Sequence, residues 1–279
     1  VGISLLTLGF AGIFIWARIM RAKPIAQYLE EGKTLAVIEL DTEWENAPWK
    51  KEDWISEFEK YTQLDFKKYV QPWIGRRIGV AFLRDFSPVF FLETKNRQKT
   101  IDFFNQFKLA GVNEDIEKES LSGIDIYSFE VGHGAQMAFL GNYLVITPDI
   151  RILKNIIQAR REDSTLYSSK IYRKIAGSLP TRAQGFAFLN TAFIFQETLM
   201  NELGENPLRT IIQPILEAFE GQGWTAKMVD SELIIENFTA LNQTRLNKKP
   251  LIRFEEKYRG SLTSFLPENI DMLYGSQNL

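Results

Sequence analysis

The chain has 279 residues, of which 45% are hydrophobic and 24% charged, and its formal net charge is −2. This composition is typical of a folded globular protein and excludes general disorder. A charge so close to neutral provides no basic field for nucleic acid. There is no cysteine and one histidine, His133, which excludes disulfides, thiolate nucleophiles and zinc motifs that need two histidines.

The first seventeen residues, VGISLLTLGFAGIFIWA, carry no charge. This length is at the lower limit for a helix that spans a bilayer, and basic residues follow it directly at positions 18, 21 and 23. We therefore predict a transmembrane anchor with a basic flank over residues 1–23, so that the lipid bilayer is the first partner. The residues expected to contact lipid are Val1, Leu5, Phe10, Phe14 and Trp16.

Two other interpretations of this segment remain open. A cleaved signal peptide is disfavoured because no A-x-A site precedes Pro24. A buried core helix is disfavoured because apolar residues surround the whole helix and cations follow at once. The cations favour a cytoplasmic location for the body of the protein. Because the chain begins without Met, we expect preceding residues, whose charge would also count, and the charge pattern leaves the orientation undecided.

The remaining elements follow in chain order and are separated by glycine and proline turns. Strands are predicted over residues 34–42, 76–83, 89–94, 124–130, 135–140, 143–147, 185–189, 224–230 and 232–240. Helices are predicted over about 51–61, 96–109, 148–161, 168–176, 192–203 and 208–219. Thr147 is the expected N-cap of the helix at 148, with Pro148 in its first position, and Asn190 is a candidate cap for the helix at 192.

This order predicts an α+β fold of antiparallel sheets built from hairpins, with interspersed helices and one preceding transmembrane helix. The predicted α+β domain covers residues 24–260, with a candidate division into two sub-units near residue 165. Residues 265–274 resemble residues 28–37, since both place a polar turn before an apolar run. We interpret 261–279 as the truncated start of a second repeat-like unit, with a chance match as the alternative.

Acidic side chains on two predicted strands are the first candidates for chemistry. Glu39 and Asp41 lie on the same face of their strand because strand side chains repeat every second residue, and Glu43 extends the row. Such a row can hold Ca²⁺ or Mg²⁺, but no EF-hand loop is present and a solvated strand end is the favoured interpretation. Together with Glu93, Glu39 and Asp41 are the carboxylates that a hydrolase would use.

Other candidate sites involve aromatic and basic residues. Trp44, Trp49 and Trp54 are five residues apart and are the preferred place for a partner, such as a glycan or membrane surface, although a core edge is the alternative. Arg76 and Arg77 lie near Trp73, Lys67 and Lys68 in a cluster that could stack a base and bind phosphate. Because acidic residues flank this cluster, a structural tryptophan with solvated cations is favoured. His133 lies between two glycines and is interpreted as part of a flexible hairpin loop.

Several runs of residues resemble the bacterial family known as domain of unknown function 3352. They are YVQPWIG at 69–75, IGVAFL at 78–83, PVFFLE at 88–93, TLAVIELD at 34–41, GNYLVIT at 141–147 and LYS at 166–168 before Tyr172. The resemblance covers most of the chain after Gln27. It implies an extracytoplasmic domain on one N-terminal membrane helix, with no established activity or catalytic residues, and so favours an outside orientation.

The sequence therefore predicts a single-pass, membrane-anchored envelope protein whose domain is non-enzymatic and binds an unknown envelope protein or ligand, or is structural. The alternative is a carboxylate-dependent hydrolase that acts on an envelope polymer. No P-loop or dinucleotide fingerprint is present. No cofactor, metal, catalytic residue or nucleic-acid partner is assigned.

Overall fold

The computed structural model describes residues 24–42, 55–57, 59–60, 65–109, 117–129, 135–181, 183–195, 204, 213, 216–229 and 232–242. The predicted anchor at 1–23, the terminal unit at 261–279, Glu43, His133 and the three tryptophans Trp44, Trp49 and Trp54 lie outside these ranges. Within them, no helix combines the length and the apolar character that crossing a membrane requires.

Ten strands form one antiparallel sheet in the described part of the chain. They are β1 (Thr34–Asp41), β2 (Ile74–Leu83), β3 (Pro88–Thr94), β4 (Glu117–Leu121), β5 (Ile124–Phe129), β6 (Ala135–Leu140), β7 (Tyr143–Thr147), β8 (Gly185–Leu189), β9 (Phe219–Val229) and β10 (Glu232–Leu241). Their order is β10-β9-β8-β1-β2-β3-β7-β6-β5-β4. The sheet is continuous across residue 165, because β8 pairs with β1 through Ala187 and Ile38.

Helices and 3₁₀ turns join the strands, and those with described bounds follow. The helices are α1 (Phe66–Tyr69), α2 (Arg97–Leu109), α3 (Ile150–Arg161), α4 (Lys170–Ser178) and α5 (Thr191–Ile194), and the turns are Ile25–Gln27, Glu31–Lys33 and Leu166–Ser168. Antiparallel hairpins with interspersed helices confirm the predicted α+β class. The predicted transmembrane helix stays a prediction.

The larger hydrophobic core lies on the sheet face that α3, α4 and the 25–27 turn cover, which we call the inner face. Alternation in β1 points Leu35 and Val37 inward, at 3% and 0% exposure, and leaves Ile38 on the opposite, outer face at 38% exposure. On the inner face, Phe91 and Tyr143 pack edge to face with ring centroids 6.1 Å apart. The same alternation places Glu39 and Asp41 inward, toward the helices.

The prediction is wrong at one helix cap and incomplete at one edge of the sheet. The N-cap of α3 is Asp149, whose carboxylate accepts from Arg151 N, and not Thr147. Thr147 instead ends β7, where it pairs with Gln136, and its hydroxyl donates to Asp149 O at 3.0 Å. Strand β4 was not predicted, because its sequence EKESL has no apolar alternation and four of its five residues are exposed at the sheet edge.

Candidate functional site

A pocket of about 250 Å³ opens at the end of β1, between the inner face and the C-terminal part of α4. Its residues come from the strands β1, β2, β8 and β9, from α4, and from the loop between α4 and β8. They are Pro24, Glu39, Leu40, Asp41, Arg77, Tyr172, Ala176, Leu179, Pro180, Thr181, Ala183, Gln184, Gly185, Phe186 and Thr225. We call this space the Glu39 pocket.

Glu39 is partly buried beneath the Ile25–Gln27 turn, whose Ile25 N–H donates to Glu39 Oε1 at 3.1 Å. Ile25 fits there because Gly79, the β2 partner of Glu39, has no side chain: a Cβ at that position would lie 2.8 Å from Ile25 Cδ1. Burial raises the pKa of Glu39 to about 7, against the opposing effects of Arg77 and the Ile25 N–H. The interpretation of Glu39 as part of a solvated strand end is therefore wrong.

Asp41 brings a second carboxylate to the same pocket. It lies opposite Arg77 in the β1–β2 register, and its Oδ2 accepts from Arg76 Nη2 at 3.0 Å. The sequence predicts that Arg76 and Arg77 are both solvated cations. Arg76 is exposed, as expected, but Arg77 is partly buried. Arg77 lines the pocket. Its positive charge partly offsets the rise that burial causes in the pKa values of Glu39 and Tyr172.

Glu93 lies on the inner face but does not line the pocket. Its Oε2 accepts from the backbone N–H groups of Arg76 and Arg77, each at 2.9 Å. These donors lie where the β2–β3 register shifts between Ile74 and Ile78. Of the three candidate carboxylates, the structure brings Glu39 and Asp41 together and gives Glu93 a role in holding an irregular strand.

The pocket also contains polar groups that the sequence did not indicate. Thr225 is 4% exposed and its Oγ1 has no hydrogen-bond partner among the described residues. Gln184 Oε1 accepts from Met228 N at 2.8 Å, and burial raises the pKa of Tyr172 above its ordinary value. Leu179, Pro180 and Phe186 belong to the apolar part of the lining. In the sequence, the alternation of side chains along β1 indicates that Glu39 and Asp41 share a face. The other lining residues come to the pocket through strand order and helix packing, which the sequence does not reveal.

The other candidates do not join this site. Trp73 is 3% exposed and its Nε1 donates to Tyr69 O at 2.8 Å, so it is a core residue with no free ring face for a base. Lys67 and Lys68 are exposed. Within the described ranges, no group of three or more histidine or acidic side chains is placed to hold a metal ion.

The chain matches one family, described as "Protein of unknown function (DUF3352)", over residues 46–279. It belongs to that family. Strand β1, which carries Glu39 and Asp41, precedes the matched range. No curated protein matches this DUF3352 member.

Solved structures of a protein named TP0453 show weak similarity to this chain. The structure titled crystal form I has a TM-score of 0.43 and 10% identity, and the match covers 88% of this chain and 84% of that one. Crystal form III has a TM-score of 0.43 and 12% identity, with 88% and 85% covered. At this level of similarity, neither structure contributes to a functional assignment.

Proposed function

We propose that this DUF3352 protein is a membrane-tethered envelope protein whose domain lies outside the cytoplasm and binds a small polar ligand in the Glu39 pocket. The uncharged opening segment and its basic flank support the tether. The ligand class is a hydroxyl-rich ring, such as one sugar unit of an envelope polymer. The domain acts as a receptor or attachment module for that ligand.

The observation that carries this proposal is the convergence of unlike polar groups beside an apolar wall. Carboxylates at Glu39 and Asp41 accept hydrogen bonds, the guanidinium of Arg77 donates, and the Thr225 hydroxyl can do both. A sugar presents hydroxyl groups around its edge and C–H groups on its face. Phe186 and Leu179 offer apolar contact for that face, a combination expected of small-molecule sites.

Two matched threonines test the binding site. Thr225 and Thr191 are both buried, at 4% and 3% exposure, and both have an Oγ1 with no partner among the described residues, but only Thr225 lines the pocket. We expect Thr225→Val to weaken binding about 5-fold, the effect of one lost hydrogen bond of about 1 kcal/mol. Thr191→Val should leave binding unchanged. Neither variant should unfold, because each removes an unsatisfied hydroxyl.

Saturation-transfer NMR on the full chain in lipid nanodiscs gives the measurement, with glucose, N-acetylglucosamine and glucuronate as probes. Binding of at least one probe that Thr225→Val weakens and Thr191→Val preserves would support the proposal. Absence of binding for all three, or equal effects of the two substitutions, would contradict it.

The second candidate function is hydrolysis of an envelope polymer. The specific observation in its favour is that Glu39 and Asp41 line one pocket and that the Glu39 pKa of about 7 suits proton transfer near neutral pH. Release of reducing ends from isolated envelope polysaccharide distinguishes the two functions. A hydrolase should release them and lose this activity in Glu39→Gln, whereas a binding domain should release none.

A further inference from the structure

A second cavity, of about 270 Å³, lies on the outer face between α2 and strands β4–β7. Its lining consists of Ile101, Phe104, Asn105, Lys118, Tyr127, Met137, Phe139 and Leu144. The Glu39 pocket lies on the inner face, so the two spaces are separate.

The walls of this cavity are apolar side chains that the fold holds in place. Met137, Phe139 and Leu144 are 5%, 9% and 1% exposed, and Ile101 and Phe104 of α2 pack against them. Protein interiors are normally close-packed, and an unfilled apolar space lowers stability. The pocket opens to solvent at Asn105 and Lys118, and its apolar walls can accept apolar groups. The walls therefore favour a hydrocarbon occupant.

The rim of the cavity has polar and cationic character. Lys118 and Asn105 are both exposed. Lys118 Nζ lies 2.9 Å from Asp125 Oδ2 and 5.8 Å from the centroid of the Tyr127 ring. At Phe139, the guanidinium carbon of Arg97 lies 4.9 Å from the ring centroid. The Asp125 carboxylate offsets Lys118, so Arg97 beside Phe139 supplies the net positive charge of this rim. An anionic head group that emerges there would meet both cations.

We propose that this cavity binds the hydrocarbon tail of a single-chain anionic amphiphile, a fatty carboxylate. The tail contacts Met137, Phe139 and Leu144, and the carboxylate lies at Lys118. One small cavity accommodates one chain and not the two chains of a phospholipid. This proposal is independent of the ligand in the Glu39 pocket.

Photolabelling of the full chain in lipid nanodiscs tests the site. The probe is dodecanoate with a diazirine in its chain, and mass spectrometry locates the labelled residues. We expect labelling within residues 101–105 and 137–144 that unlabelled dodecanoate suppresses, whereas labelling of lipid-contacting segments should not saturate. The result that would overturn the proposal is labelling with no saturable component in these two segments.

Lys118 of β4 and Lys154 of α3 provide the matched comparison. Lys118 pairs with Asp125 and Lys154 pairs with Glu119, both at 2.9 Å, but only Lys118 lines the cavity. We expect Lys118→Gln to weaken saturable labelling about 5-fold, the effect of one exposed ion pair of about 1 kcal/mol. Lys154→Gln should not change it, and equal effects of the two substitutions would overturn the proposal.

Further probes establish the ligand class. A diazirine dodecyltrimethylammonium probe should label the two segments less than the carboxylate does, because Lys118 and Arg97 together outweigh the Asp125 carboxylate at the rim. Stronger labelling would count against the proposal. Labelling by a diazirine phospholipid alone would overturn the single-chain assignment. Met137→Phe should fill the cavity and reduce labelling. Should this variant fail to fold by circular dichroism, the lysine pair and the cationic probe still decide the outcome.

Discussion

Among single residues, Glu39 owes its raised pKa to the Ile25–Gln27 turn that covers its side chain. The sequence places its side chain on one face of a strand, but the Ile25–Gln27 turn lies over that face and leaves Glu39 only partly accessible to water. Burial disfavours the charged form of a carboxyl group, which raises the pKa of Glu39 to about 7. The charge of Glu39 therefore changes near neutral pH.

Glu39 should make the stability of the fold depend on pH. Its pKa rises from 4.5 in the unfolded chain to about 7 in the folded chain, so between these values the folded state binds more protons. Its contribution to the free energy of unfolding is complete below pH 4.5, declines as the pH rises to about 7, and stays constant above that. Wild-type protein should lose on the order of 3 kcal/mol relative to Glu39→Gln between pH 4 and pH 8.

Urea unfolding of both proteins at several pH values measures this difference. The control is Glu119→Gln, which removes an exposed carboxylate outside the Glu39 pocket and should keep the difference from Glu39→Gln. Parallel profiles for wild type and Glu39→Gln would show that Glu39 titrates normally.

Glu93 should affect stability and not chemistry. Glu93→Ala removes the acceptor of two backbone N–H groups, at Arg76 and Arg77, and should lower the free energy of unfolding by about 1–2 kcal/mol. Glu93→Gln keeps one acceptor oxygen and should lose less. Glu236→Ala breaks a 3.6 Å surface pair with Lys227 and should change stability by less than about 0.5 kcal/mol. Urea unfolding measures all three, and an unaffected Glu93→Ala would refute this role.

At the scale of elements, α4 covers the pocket because β9 has glycines beneath it. Gly221 and Gly223 face Ile175 and, in the case of Gly223, also Leu179. A Cβ at 223 would lie 2.8 Å from Leu179 Cδ1 and still closer to Ile175 Cγ2. These glycines therefore set the distance between the helix and the sheet.

Gly223→Ala should separate α4 from β9 and lower the free energy of unfolding by about 1–3 kcal/mol, the effect of overpacking. Gly177→Ala, within α4, is the matched control, because a Cβ there meets nothing within 4 Å. It should raise stability by about 0.5–1 kcal/mol, as alanine favours helix more than glycine does. Thermal and urea unfolding measure both, and a Gly223→Ala protein as stable as wild type would contradict the packing argument.

Elements with strong local signals were predicted correctly. The Gly141-Asn142 turn joins β6 and β7, and Asn190 caps α5 by accepting from Phe193 N. The cap of α3 was placed two residues early, because Thr147 is held in β7 by its pairing. Strand β4 escaped prediction since its polar sequence gains a strand conformation only from pairing with β5. Local chemistry thus predicts turns and apolar strands, and tertiary pairing decides the rest.

At the scale of the whole molecule, one sheet unites segments that are distant in sequence. β1 is central and pairs with β2 on one side and β8 on the other. This order brings Arg77, Thr225 and Tyr172 to Glu39. The proposed tether would place this assembly beside a membrane.

The orientation of the domain is testable because the chain has no cysteine. Lys99→Cys, on α2, and Lys154→Cys, on α3, introduce single thiols at positions that are exposed or only partly buried. Both should react with a membrane-impermeant maleimide in intact spheroplasts if the domain lies outside the cytoplasm. Labelling that appears only after permeabilisation would place the domain inside.

The amino-acid sequence alone predicts the α+β class, most strands and hairpins, and the shared face of Glu39 and Asp41. These features follow from local periodicity and turn chemistry, which depend on neighbouring residues. Three facts come only from the folded chain: Glu39 is covered by the Ile25–Gln27 turn, Arg77 and Thr225 line its pocket, and Glu93 does not. Those facts depend on strand order and on helix packing across long sequence separations, because burial and the resulting pKa of a carboxyl group are properties of its surroundings.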